Sequence, residues 1–175
     1  MVATDTDTDI DTNAGRAGLF AFPDPVNEVS ARLVAAGVVV MAVTAIALDA
    51  RWLTLVLAYG FLARVATGPT LSPLGQLVTR VVVPRLGLAP RLVPGPPKRF
   101  AQGIGAVLTV GAAVLALGLD AWGPARVLLG LLVVAASLEA FLGLCLGCRL
   151  FALLMRIGVV PPSVCERCND LARSR

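Results

Sequence analysis

The 175 residues contain no histidine and only four cysteines; aromatic residues make up 5% and charged residues 15%. Missing histidine removes the commonest general base and metal ligand, which counts against ordinary hydrolytic catalysis. Scarce charge, set against 57% hydrophobic residues and a mean hydropathy of +0.84, excludes a soluble globular domain, because one small core cannot hide that much apolar surface from water. Apolar residues are themselves scarce in one place. Residues 1–18 form an acidic Thr/Asp repeat with almost nothing to bury, expected to be disordered. This tail has no basic region followed by an apolar core, so a cleaved secretory signal is not expected.

Four apolar runs follow, at about residues 29–48, 52–66, 100–119 and 127–147. A spanning helix needs about 20 residues at 1.5 Å each to cross a core of ~30 Å, so the second run is short. It still returns the chain, because Asp49-Ala50-Arg51 is a tight polar turn and unpaired backbone is not tolerated in lipid. Asp120 to Arg126, with Gly123-Pro124, makes the matching turn. The expected fold is therefore all-α: an integral membrane four-helix bundle of two helical hairpins spanning residues 19–157. Leu48-Asp49-Ala50-Arg51-Trp52 partly recurs as Leu119-Asp120-Ala121-Trp122, as a weak internal duplication with Trp52 and Trp122 as interfacial anchors would.

If both termini and the middle loop share a face, 12 of the 15 Lys/Arg lie on it; Arg51 and Arg126 fall on the other, and Arg64 lies within a span. Positive-inside bias then places both termini in the cytoplasm, the chain being a multi-pass protein of the cytoplasmic (inner) membrane. Topology accounts for the basic residues, so the net charge of +4 calls for no nucleic-acid partner. Within the middle loop Ser72-Pro73 is a helix start. Leu74, Leu77, Val78, Val81 and Val82 recur at helical spacing, which predicts a short amphipathic helix over about 73–83, interfacial or packed across the base of the bundle, with Pro84 ending or kinking it and residues 90–97 extended.

Arg64 and Glu139 are the ionisable residues well inside apolar runs. Arg64 lies 11 residues beyond Leu53 and Glu139 12 beyond Val127, so they reach nearly the same depth. An unpaired charge there costs at least ~2.5 kcal/mol, and an intramembrane Arg64–Glu139 ion pair is expected, as a register pin or as a relay.

The chemistry-bearing pattern is C-x2-C-x16-C-x2-C: Cys145, Cys148, Cys165 and Cys168. The first pair sits one helical turn apart at the inner end of the last span. The second opens a short C-terminal cytoplasmic helix in the tail 158–175, where Ser163-Val164-Cys165-Glu166 reads as a capping box and the helix's positive end favours a thiolate. Three readings are open: a redox dithiol site that exchanges disulfides or carries sulfur, a structural four-cysteine zinc site in a scaffold or metal-handling protein, or incidental small hydrophobes.

Phe22-Pro23-Asp24-Pro25-Val26-Asn27-Glu28, Gly95-Pro96-Pro97-Lys98-Arg99-Phe100-Ala101-Gln102, Cys145-Leu146-Gly147-Cys148 and Cys165-Glu166-Arg167-Cys168 together resemble an uncharacterised family of small bacterial four-helix integral membrane proteins, domain-of-unknown-function family 4395, over about residues 20–172. The resemblance implies a four-helix membrane domain without an assigned activity, and a thioredoxin-like or sulfurtransferase protein as partner. Each of the first two blocks precedes the first helix of a hairpin. They are expected to meet at a cytoplasmic mouth, with Asp24 or Glu28 facing Lys98 or Arg99.

Overall fold

The computed structural model describes residues 24–87, 89–161 and 164. Strand β1 (Val26–Asn27) leads into helix α1 (Glu28–Ala47), where the Asn27 side chain accepts from the Val29 N–H at 3.1 Å and caps the first turn. A tight turn joins α1 to α2 (Leu53–Thr67). The connecting segment holds α3 (Pro73–Leu77), a π-helical stretch Val78–Val82, α4 (Val83–Leu86) and strand β2 (Leu92–Val93). Helix α5 (Gly95–Ala113) continues as a π-helical turn Val114–Gly118, α6 (Trp122–Leu142) returns, and α7 (Leu146–Arg156) follows.

Among the described residues three helices are long and apolar enough to cross a membrane: α1, Gly95–Gly118 and α6; α2, at 15 residues, is a shorter apolar helix. The protein is an all-α membrane protein. Its outer surface carries exposed Val40, Val107 and Val134, while alanines pack the centre: Ala42, Ala45, Ala112 and Ala125 are fully buried beside Val38, Leu57 and Leu129. Small residues let the backbones approach where lipid supplies no hydrophobic drive.

The most extensive contacts run between α1 and α6 and between α2 and α5. Exchanging the two hairpins carries one of these contacts onto the other, as a pseudo-twofold duplication requires. The hairpin turns agree: Asp49 and Asp120 both adopt left-handed backbone, at φ 51° and 50°, which aspartate tolerates better than most residues. Each hairpin's aspartate is taken by the other's arginine, Arg51 with Asp120 and Arg126 with Asp49. Trp122 Nε1 also donates to Asp49 at 2.7 Å, and this bond, followed by Arg126, lowers the Asp49 carboxyl below its ordinary value. Trp122 is buried with Arg51 and Arg126 over its ring, whereas Trp52 is 62% exposed; the two are not equivalent anchors.

Several boundaries differ from expectation. The third span starts at Gly95 rather than near residue 100, because Pro96 and Pro97 fall in the first helical turn, where a missing N–H leaves nothing unsatisfied. The fourth starts at Trp122 and stops at Leu142: Gly143, at φ 66°, donates to the Glu139 carbonyl as in an αL cap, and Leu144 donates to that of Leu138. In the connecting segment Ser72 caps α3 by accepting from the Gly75 N–H at 3.2 Å. The helical path continues through the π-helical stretch and passes Pro84 to reach Leu86. Leu74 packs on Gly37 of α1 and Val78 is buried, so this segment lies across the bundle, with Leu77 left exposed. The tail 1–18, Cys165, Cys168 and the capping box lie outside the described residues.

Candidate functional site

Beyond Leu142 the chain does not carry its first cysteine pair on the span. Cys145 is the N-cap of the separate helix α7, with extended backbone (φ −84°, ψ 104°), and its sulfur accepts from the Cys148 N–H at 3.4 Å. The two thiols also hydrogen-bond to one another. This bond is the main cause holding the Cys145 thiol below its ordinary value; the nearby Lys98 charge and the Cys148 N–H add to it, against burial and Glu139. The same bond, with burial, pushes Cys148 strongly upward. The two thiols are thus pushed in opposite directions, Cys145 down and Cys148 up. Both are free thiols.

Packing fixes this geometry. Phe151 of α7 packs at a tilt of 56° on Phe100 of α5 with ring centroids 5.6 Å apart, and Gly147 sits against Ala101, where an added Cβ would stand 2.5 Å from the Ala101 Cβ and 2.6 Å from its Cα. Gly147→Ala is therefore expected to push α7 off α5. Differential alkylation of Cys145 and Cys148 should lose its selectivity severalfold while circular dichroism shows the helix content retained.

Next to the thiols, Lys98 in the first turn of α5 pairs with Glu139 in the last turn of α6 at 2.6 Å, their side chains 8% and 16% exposed. The expected Arg64–Glu139 contact is thereby corrected to a longer-range attraction, the direct salt bridge of Glu139 going to Lys98. Arg64 lies on α2 and Glu139 on α6, helices set diagonally, while α5 and α6 are hairpin neighbours; Arg64 instead donates from Nε to Gln102 Oε1 at 3.0 Å and from Nη1 to Ser72 Oγ at 3.4 Å, with its guanidinium 4.3 Å from the Phe61 ring. Arg32, which the sequence did not single out, donates to the Ala140 carbonyl at 3.2 and 3.1 Å and to that of Phe141 at 3.1 Å. It ties α1 to the helix end just before Cys145.

The two Pro-containing blocks meet at this end of the bundle. Val26 pairs with Val93 and Asn27 with Leu92 as antiparallel strands, the Gly95 N–H donates to Asp24 at 3.0 Å, and Glu28 pairs with Arg91 at 3.1 Å. Asp24 and Arg99 line one cleft. Lys98 faces inward to Glu139 and Glu28 takes Arg91, because a helix starting at Gly95 turns Lys98 toward α6.

Cys145 borders two spaces. A cleft of about 360 Å³ reaches it and Cys148 from the side of Glu28, Pro94, Lys98 and Arg149. A second space of about 340 Å³ lies within the bundle, where Phe61, Arg64, Gln102 and Glu139 share its wall with Cys145. No curated protein and no solved structure matches the chain. The family described as Domain of unknown function (DUF4395) matches residues 26–156, which contain the whole bundle and the first cysteine pair, and the chain belongs to it.

Proposed function

We propose that Cys145 is the nucleophile of a dithiol that exchanges disulfides, or carries sulfur, with a soluble thioredoxin-like or sulfurtransferase protein. The supporting observation is its place at the start of α7, with the N–H and the thiol of Cys148 both directed at its sulfur. The chain would lie in the bacterial inner membrane with both termini and the cysteine end cytoplasmic, a reading supported by the 12 of 15 basic residues assigned to that side.

In the exchange, the Cys145 thiolate attacks one sulfur of the partner's disulfide; a mixed disulfide forms and the partner's other sulfur leaves as thiolate. Once Cys145 is covalently bound it no longer holds the Cys148 proton. Cys148 passes that proton to the departed thiolate and attacks the Cys145 sulfur; the partner's second sulfur leaves as a thiolate that takes its proton from water, and a Cys145–Cys148 disulfide remains. Two electrons pass to the partner, and the reverse sequence returns them. A second reading, a non-enzymatic scaffold or metal-handling protein with Cys145, Cys148, Cys165 and Cys168 on one structural zinc, is supported by the same convergence of Cys145 and Cys148 within one turn.

Alkylation by iodoacetamide tests both, using the reduced full-length protein in nanodiscs with mass-spectrometric localisation. At neutral pH Cys145 is expected to label about tenfold faster than Cys148, with its half-maximal rate below the ~8.5 of a free thiol. Its rate falls as pH drops through the lowered value, since only the thiolate reacts. One tightly held zinc with both thiols protected would end the redox reading. Equal labelling of the two at ordinary thiol pH would remove Cys145 from its role.

A further inference from the structure

The space of about 340 Å³ inside the bundle lies where the α1/α6 pair meets the α2/α5 pair. All four long helices and α7 contribute to its wall, which is kept open by small side chains such as Ala31, Ala35, Ala135 and Gly147. Its deep wall is buried and apolar, through Val38, Phe61 and Leu132. Its rim differs: Leu131 of α6 and Leu146 and Leu150 of α7 are 55%, 48% and 43% exposed. A mouth edged by exposed leucines on a membrane protein opens toward apolar surroundings rather than toward water.

Charge inside this space is unbalanced. Glu139 is salt-bridged to Lys98 and also attracts Arg64 from farther off, so the three groups together leave one net positive charge; the direct contacts of Arg64, 6% exposed, are the neutral Gln102 and Ser72 and the ring of Phe61. A guanidinium held on neutral acceptors at the wall of an apolar cavity is complementary to one anionic head. We propose that this cavity binds a single-chain amphiphile with a monoanionic, oxygen-bearing head, the head at Arg64 and Gln102 and the chain along Val34, Val38 and Leu132, entering past Leu131 and Leu150. The volume lies at the low end of the ~300–1,000 Å³ of small-molecule pockets, which admits one chain and not a diacyl lipid. Cys145 lines the same cavity; binding itself does not require the thiol chemistry proposed above.

A diazirine-bearing dodecanoate tests the site on the full-length protein in phosphatidylcholine nanodiscs, since photolabelling reads binding without using any cysteine. Labels are expected on the cavity wall formed by α1, α6 and α7, to be competed by laurate and not by dodecyltrimethylammonium. Arg64→Gln should reduce them about tenfold, the loss of one charge-assisted contact, and Arg64→Lys should retain most of them. Should Arg64→Gln fail to fold, Ala135→Phe, which fills the cavity and keeps the charge, should abolish the same labels. Labelling spread evenly over the outward-facing Val40 and Val107, equal competition by the cationic amphiphile, competition by phosphatidylglycerol in the disc, or wall labels that survive Ala135→Phe would each overturn the assignment. Loss of selective Cys145 alkylation with the labels intact would remove the thiol reading alone.

Discussion

Replacing Glu139 by Gln with Lys98 intact is expected to destabilise the bundle by about 3–5 kcal/mol, because an ammonium 8% exposed is left without its countercharge. Lys98→Met alone should cost a similar amount by stranding the carboxylate. The double variant Lys98→Met/Glu139→Leu should return to within about 1–2 kcal/mol of the parent, since two packed apolar side chains carry no desolvation cost. Thermal unfolding in nanodiscs, followed by circular dichroism, measures all three. A double variant as unstable as the two single losses added together would mean that the residues contribute independently, and the pair would have to be dismissed as incidental.

The same variants separate the pair's structural role from its influence on the thiols. Glu139 raises the Cys145 value and Lys98 lowers it. Removing the carboxylate should therefore increase the neutral-pH alkylation rate of Cys145, and removing the ammonium should decrease it, although both single variants lose stability. A change of the same sign in both would indicate general loosening of α7 instead of electrostatic control.

Depth was legible in the sequence and azimuth was not. Arg64 and Glu139 both occupy the last turn of their helices and line one cavity, as counting along the runs suggests. Counting residues along a span says nothing about which helices are neighbours, and the diagonal placement of α2 and α6 gave Glu139 to Lys98. A signal for Lys98 did exist. Lys98, Gln102, Gly105 and Thr109 recur at helical spacing through an otherwise apolar run, a polar and small stripe that faces the bundle. Reading the helix from Phe100 onward places Lys98 outside it, as a snorkelling flank, and hides the stripe.

The break after Leu142 was hidden for a different reason. From Val127 to Gly147 hydropathy continues with only Glu139 and Ser137 to interrupt it, so composition offers no boundary. What ends the helix is one left-handed glycine, and what starts the next is a cysteine acting as N-cap, a role usually taken by Ser, Thr, Asp or Asn. That substitution of sulfur for oxygen sets the Cys145 sulfur against the Cys148 N–H, a smaller contribution to its lowered value than the neighbouring Cys148 thiol. The hairpin turns were easier, because Asp49 and Asp120 announce themselves as polar residues between apolar runs. Their left-handed backbone and exchanged arginines then give the short repeated motif a physical content.

Gly105→Ala is expected to be the most disruptive single-methyl change in the membrane domain. A Cβ there would stand 2.1 Å from Phe61 Cε1 and 2.4 Å from its Cδ1, inside the tight α2–α5 contact, and Phe61 is itself pinned by the Arg64 guanidinium above its ring. Neither the buried ring nor the helix backbone has free space to yield into, so the cost should reach or exceed the ~1–3 kcal/mol typical of overpacking. Gly103→Ala, two residues away on the same helix with nothing within 4 Å of its added Cβ, should instead be neutral or stabilise by about 0.5–1 kcal/mol through helix propensity. Pairing Gly105→Ala with Phe61→Leu should recover part of the loss, because the branched chain is smaller than the ring and can turn from the new methyl. Thermal unfolding of the four proteins gives the comparison. If Gly105→Ala unfolds with Gly103→Ala and the parent, the close approach of α2 and α5 is wrong, and with it the placement of Arg64 in the cavity wall.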